Sequence, residues 1–174
     1  MGMESFNITG LVQGVLIEYE NNYQKLIGSS EIDILDIKEK FKSLGMQYIQ
    51  ENKWIFDDYL EVYVYEKEGK FQGIEIKGCI SWMKEGVKDS FQIVNKCKEW
   101  YGELDIYILG KKIWCDSKDG LDKYVQEAYK NKINLFNRQY GNVKLKVTCS
   151  NFYKEINRQN KWYYKLFYRF KRKG

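Results

Sequence analysis

The sequence predicts an α+β fold: a two-layer sandwich in which helices pack on an antiparallel-dominated sheet. Three observations predict it. Two adjacent runs alternate apolar and polar residues with a short polar link between them; two long segments repeat apolar residues at helical spacing; and such segments interleave along the chain. The alternating runs are Tyr59–Glu66 and Phe71–Ile80, joined through Lys67-Glu68-Gly69-Lys70. Leu60, Val62 and Val64 alternate with Tyr59, Glu61, Tyr63 and Tyr65, and then Ile74, Ile76 and Ile80 with Phe71, Glu75 and Lys77. Period two with a Gly-containing link is the signature of a hairpin, here at the centre of the sheet.

Ahead of it, Phe6–Thr9 and Leu11–Glu20 read as strands, interrupted at Gly10 and Gly14. Asn21-Asn22 is a turn, Gln24–Ile27 a returning strand and Gly28-Ser29-Ser30 a break. Ile32–Leu35 follows as a strand, then Asp36 caps a helix over Ile37–Leu44 that Gly45 stops. Met46–Phe56 is extended. After the hairpin, Ser81–Gly86 reads as a linker into a helix ending at Tyr101-Gly102, its buried stripe being Val87, Phe91, Val94, Cys97 and Tyr101. Asp89 and Gln92 have capping-box spacing, an alternative start.

Leu104–Leu109 and Lys112–Cys115 are strands about a turn at Gly110-Lys111. A second long helix ends at Tyr140-Gly141 with Val125, Tyr129, Ile133, Phe136 and Tyr140 on one face. Val143, Leu145 and Val147 alternate in a last strand. From Ile32 to Leu109 the order strand, helix, strands, helix, strand is compatible with a ferredoxin-like β-α-β-β-α-β core. Residues 1–150 form this α+β domain, and residues 151–174 a basic amphipathic C-terminal helix packed on it.

With 174 residues, 44% hydrophobic and 30% charged, the chain suits one globular domain. Pro and His are absent, and the wealth of Lys, Asn, Ile and Tyr points to an AT-rich bacterial or phage coding sequence. Without His there is no imidazole base, no Ser-His or Cys-His nucleophile pair and no His-ligated zinc. Cys79, Cys97, Cys115 and Cys149 form no C-x-x-C pair and sit in apolar runs, as reduced core thiols do. There is no leader-like start and no membrane-length apolar run, so the expected location is the cytoplasm. Met1-Gly2 fails the myristoylation pattern at Phe6.

The richest stretch for function is Ser150–Gly174. Phe152, Ile156, Tyr163, Phe167 and Phe170 fall within an arc of about 60°, and Lys154, Arg158, Lys161, Lys165, Arg169 and Arg172 within about 80° on the opposite side. Eight cations stand against Glu155 alone, giving a segment of +7 on a body of about −2 within a whole-chain +5. Such a stripe fits an anionic partner: an acidic protein surface, nucleic acid or a membrane, with Trp162, Tyr164 and Tyr168 able to stack on bases. The blander reading is a docked helix with solvated cations.

A second candidate is the aromatic side of the central hairpin, Tyr59, Tyr63, Tyr65 and Phe71, as interface or as covered core. Asp116, Asp119 and Asp122 resemble a cation loop but lack the EF-hand order, and helix capping by Asp119 accounts for them. Asp57-Asp58 and Glu66/Glu68 have no nucleophile beside them. No phosphate-loop or Rossmann fingerprint is present.

The sequence therefore leads to the expectation of a non-catalytic protein, without cofactor or metal, that acts by occupying a macromolecular partner: an inhibitor, an immunity-type antidote or a phage counter-defence factor. The expected contacts are Arg158, Lys161, Trp162, Lys165, Arg169 and Arg172, with Tyr63 and Tyr65, toward a protein with an acidic surface. The alternative is nucleic-acid binding through the same helix.

Overall fold

The computed structural model describes residues 5–20, 23–57, 59–141 and 144. The elements run β1 (Ser5–Val12), β2 (Leu16–Glu20), β3 (Tyr23–Ile27), α1 (Ile37–Ser43), β4 (Gln47–Gln50), β5 (Lys53–Phe56), β6 (Leu60–Lys67), β7 (Lys70–Cys79), α2 (Met83–Tyr101), β8 (Leu104–Ile108), β9 (Lys111–Ile113) and α3 (Lys118–Tyr140). Seven strands form one sheet in the order β4-β5-β6-β7-β1-β8-β9, while β2 and β3 pair with each other. Every pairing is antiparallel. The α+β class with an antiparallel sheet is thus the observed one.

The β6–β7 hairpin closes through Glu68-Gly69, both left-handed (φ 54 and 76), between the paired Lys67 and Lys70. Positive φ at both central residues is what a two-residue hairpin turn needs to match strand twist. Val62 then faces Ile76, and Val64 faces Ile74. Near the turn the register slips, with Tyr65 opposite Gly73 but Glu66 opposite Phe71. One extra residue in β7 reverses the alternation there, so Phe71 points into the core and stacks on Tyr101 at 4.1 Å.

All three helices pack on one face of the sheet. Phe6, Gly78 and Leu60 form a row across β1, β7 and β6, and a Cβ at Gly78 would lie 2.2 Å from the Phe6 ring. Gly86 of α2 comes down on the same ring and on Leu60, and a Cβ there would lie 3.0 Å from Phe6. Two glycines thus make room for one phenylalanine between helix and sheet. Tyr129 of α3 meets Phe6 edge-on, and Phe41 of α1 meets Trp54, whose cross-strand partner Val62 lies on the same face as Leu60. Beyond the end of β8, the Tyr129 hydroxyl serves the open edge of β1. It accepts from the Asn7 N–H at 2.9 Å and donates to the Asn7 carbonyl at 3.4 Å.

Several sequence expectations need correction. Ile32–Leu35 is not a strand. It is part of a connection held along the turn end of β7 by Phe71 N–H to the Ile32 carbonyl (2.8 Å), Ile34 N–H to the Gly69 carbonyl (3.1 Å) and an isolated bridge at Asp33–Lys70. The ferredoxin-like order counted from Ile32 is therefore not seen in that form, because the strand beside β7 is β1. β1 runs straight through Gly10, and the break comes only at the turn containing Gly14 (φ 86). Met46–Phe56 is two strands folded back at Asn52 (φ 60).

Ser81–Gly86 is not a linker. Ile80–Trp82 is a 3-10 turn and α2 begins at Met83, so Asp89 lies inside the helix, where it accepts a hydrogen bond from the Tyr59 hydroxyl. The cap of α3 is Ser117, whose hydroxyl accepts from the Gly120 N–H at 3.2 Å, with Asp119 in the first turn. The strand read at 143–147 and the basic helix at 151–174 lie outside the described residues.

Candidate functional site

Tyr63 and Tyr65 stand on the sheet face opposite the helices. Registers place Lys53, Tyr63, Glu75, Thr9, Tyr107 and Lys112 in one row across six strands, and Ile55, Glu61, Lys77 and Asn7 in the next. The Glu61 carboxylate, only 6% exposed, accepts from Lys53 Nζ at 2.9 Å and from the Tyr63 hydroxyl at 2.8 Å. Glu75, 4% exposed, accepts from Asn7 Nδ2 at 2.7 Å, from the Tyr65 hydroxyl at 3.2 Å and from Lys77 Nζ at 3.2 Å. Lys53 and Lys77 also lie 5.2 and 4.5 Å from the centre of the Tyr63 ring.

Burial by itself would lower the Lys53 pKa. The hydrogen bonds and charges of Glu61 and Tyr63 outweigh it and hold the ammonium above the ordinary lysine value. Burial, then Glu61, raises the Tyr63 phenol, partly opposed by Lys53. Among the described residues Glu61 is paired with Lys53 and Glu75 with Lys77.

The four aromatics expected to share a side do not. Phe71 is core, and Tyr59 stacks on Trp82 at 5.2 Å. Arg158, Lys161, Trp162, Lys165, Arg169 and Arg172 lie outside the described residues. Among the described residues no group of three or more His, Cys, Asp or Glu is placed to hold a metal ion. Of the described thiols, Cys79 and Cys97 are buried and Cys115 is half-buried. Burial pushes Cys97 up to about 12 and raises Cys115, which disfavours a thiolate at either.

The most water-exposed of the described aromatics was not singled out from the sequence. Trp114, directly after the edge strand β9, is 84% exposed. Lys112, paired with Asp105 at 2.7 Å, holds its ammonium 5.6 Å from the Trp114 ring centre. At the other end of the hairpin Leu109 is 50% exposed and left-handed (φ 50), a conformation costing a non-glycine residue roughly 1–2 kcal/mol. A cavity of about 70 Å³ beside Trp114 is lined by Lys98, Glu103, Asp105 and Lys112 among others. Alternation had the signal: Ile113 pairs with Ile106 toward the core, which sends Lys112 and Trp114 the other way. Among the described residues β9 bonds only to β8, and no described strand pairs with its other edge.

Comparison with family models, with curated proteins and with solved structures returns no match. No described helix is long and apolar enough to cross a membrane.

Proposed function

We propose that this chain is a non-catalytic cytoplasmic binding protein that acts by occupying a protein partner, and that the β8–β9 hairpin is one of its contact surfaces. The observation that carries this reading is Trp114, set out in water beside a strand edge with which no described strand pairs. Tryptophan is a preferred interface anchor, and an open edge offers backbone donors and acceptors to an added strand. Leu109, exposed and strained at the tip, departs from local rules in the same hairpin, as functional positions do. Tyr63 and Tyr65 support the network behind this surface instead of anchoring a partner, since their hydroxyls already serve Glu61 and Glu75. A blocking role of this kind suits an inhibitor, an immunity-type antidote or a counter-defence factor.

The test is capture from host extract with the tagged full-length chain and with Trp114→Ala. One stoichiometric protein retained by the first and lost by the folded variant is the expected result; equal retention by both would remove Trp114 from the contact. A second reading rests on the eight cations of residues 150–174 and assigns the chain a nucleic-acid partner. Its affinity for duplex DNA would fall with a log–log salt slope near −0.9 per phosphate neutralised. No shift of DNA or RNA at low salt would dismiss it.

A further inference from the structure

The two outer strands of the described sheet differ in how well they could take on another strand. In β4, Tyr48 pairs with Trp54 but Gln50 with Lys53, so Ile49 is an extra residue that breaks the ladder. The ladder of β9 is regular, with Ile106 opposite Ile113, Tyr107 opposite Lys112 and Ile108 opposite Lys111. Its turn is Leu109-Gly110, both left-handed (φ 50 and 75), the two-residue kind whose flanking pair exchanges hydrogen bonds. Bonding residues alternate along an antiparallel ladder, so Lys111 and Ile113 aim their N–H and C=O groups at β8. Lys112 aims its own outward, and so does Trp114 once β9 is extended by one residue. That edge is wet: Lys111, Lys112 and Trp114 are all exposed.

We propose that a second copy of this chain occupies the edge, the two β9 strands pairing antiparallel about a two-fold axis at Ile113. The proposal rests on the reading of β8–β9 as a contact surface and names a partner for it. A two-fold axis sets one residue of the strand opposite its own copy. With Ile113 there, Lys112 of each copy faces Trp114 of the other. These are the residues whose backbone groups point outward, so the pairing closes four interchain hydrogen bonds. Each Lys112 ammonium, already 5.6 Å from its own indole, gains a second one across the strands. The two Ile113 side chains meet on the helix side. Lys111 falls opposite Cys115, which lines the cavity of about 70 Å³ together with Glu103. The Glu103 side chain is 72% exposed, and a lysine there can reach it.

Other arrangements fit less well. With Lys112 on the axis, two ammonium-bearing residues stand directly opposite each other, which is destabilising. With Ile113 on the axis they are offset by ~6.6 Å along the strands, and each keeps Asp105 at 2.7 Å. Joining β9 to β4 of the next copy meets the bulge at Ile49 and gives a head-to-tail contact that need not close. The contact is small. Each Trp114 has about 210 Å² to withdraw from water, and with two short edges the total falls below the ~1,600 Å² of a standard interface. The dimer is therefore weak, with a Kd of about 1 µM to 1 mM.

The test is sedimentation of the purified full-length chain from about 1 µM to several times 1 mM, with folding of each variant checked by circular dichroism. The average mass should rise with concentration from one chain toward two and stop there. Trp114→Ala should weaken the dimer at least tenfold. Lys111→Glu should weaken it several-fold, and the Lys111→Glu, Glu103→Lys double variant should recover the loss. A mass of one chain throughout, growth past two, a dimer indifferent to Trp114→Ala, or no recovery on charge reversal would overturn the proposal. A monomer that still captures one host protein through Trp114 would overturn this inference and spare the contact surface. A dimer that captures no host protein would support this inference and remove the external partner.

Discussion

Replacing Trp114 with alanine separates a side chain kept for a partner from one kept for the fold. Trp114 is 84% exposed, so of a tryptophan surface of about 250 Å² only roughly 40 Å² is withdrawn from water. At ~25 cal/mol per Å² that burial is worth about 1 kcal/mol. The Lys112 ammonium near the ring adds about 0.5–1 kcal/mol at such an exposed site. Trp54 is the internal control, since it is 2% exposed and wedged edge-on against Phe41 and Tyr48. Its truncation should cost about 3–5 kcal/mol. Urea unfolding of the full-length chain, with the slope confirmed unchanged, measures both.

In the capture assay the order should invert. Trp114→Ala should weaken the complex by about 2 kcal/mol or more, roughly 30-fold in Kd. If Trp114→Ala destabilises as much as Trp54→Ala, the indole is structural and the case for a contact surface on β8–β9 fails.

Other perturbations probe the scaffold behind that surface. Gly73 sits at the bulge with φ 152, and a Cβ there would lie 2.3 Å from the Gly10 carbonyl oxygen, whereas a Cβ on Gly69 (φ 76) would meet nothing within 4 Å. Gly69→Ala should therefore cost only the backbone strain, about 1–2 kcal/mol, and Gly73→Ala about 3–5 kcal/mol once the clash is added; equal losses in urea melts would refute the distinction. Tyr129→Phe leaves the Asn7 N–H and carbonyl without the hydroxyl that serves both, and should cost about 1–3 kcal/mol, while Tyr124→Phe on the exposed side of α3 should cost little. Alkaline pH should destabilise the fold. Cys97, Tyr59, Tyr63, Tyr101 and Lys53 all hold their protons more tightly folded than unfolded, so the unfolded chain releases them first. Their contribution is complete below about pH 9 and falls as pH rises past the ordinary cysteine, tyrosine and lysine values; a urea midpoint unchanged or rising between about pH 9 and 11 would contradict this.

How much of this was legible in the sequence depends on the range of the interaction involved. Local interactions read well. The β6–β7 hairpin, the stripe of α2 from Val87 to Tyr101, the stripe of α3 from Val125 to Tyr140 and the glycines ending both helices are set by neighbours a few positions away. Interactions between distant segments did not. Gly86 looks like a linker residue until Phe6 is found beneath it, and Ile32–Leu35 has strand composition while β1, from the far end of the chain, holds the place beside β7. The bulge that turns Phe71 inward is a one-residue slip that alternation alone reads the wrong way.

The same distinction explains the candidate site. Alternation tells which way a strand residue points, and it sends both Tyr63 and Trp114 away from the helices. It does not tell what waits on that side. For Tyr63 the answer is a network of Lys53 with Glu61 and Lys77 with Glu75, in which both carboxylates are buried. For Trp114 the answer is water and an edge that no described strand pairs. Two aromatic residues with the same periodicity thus have opposite surroundings among the described residues. The difference comes from position in the strand order: β6 lies between β5 and β7, where a ring covers its neighbours, whereas β9 is the last of the described strands on its side and Trp114 stands just beyond its end.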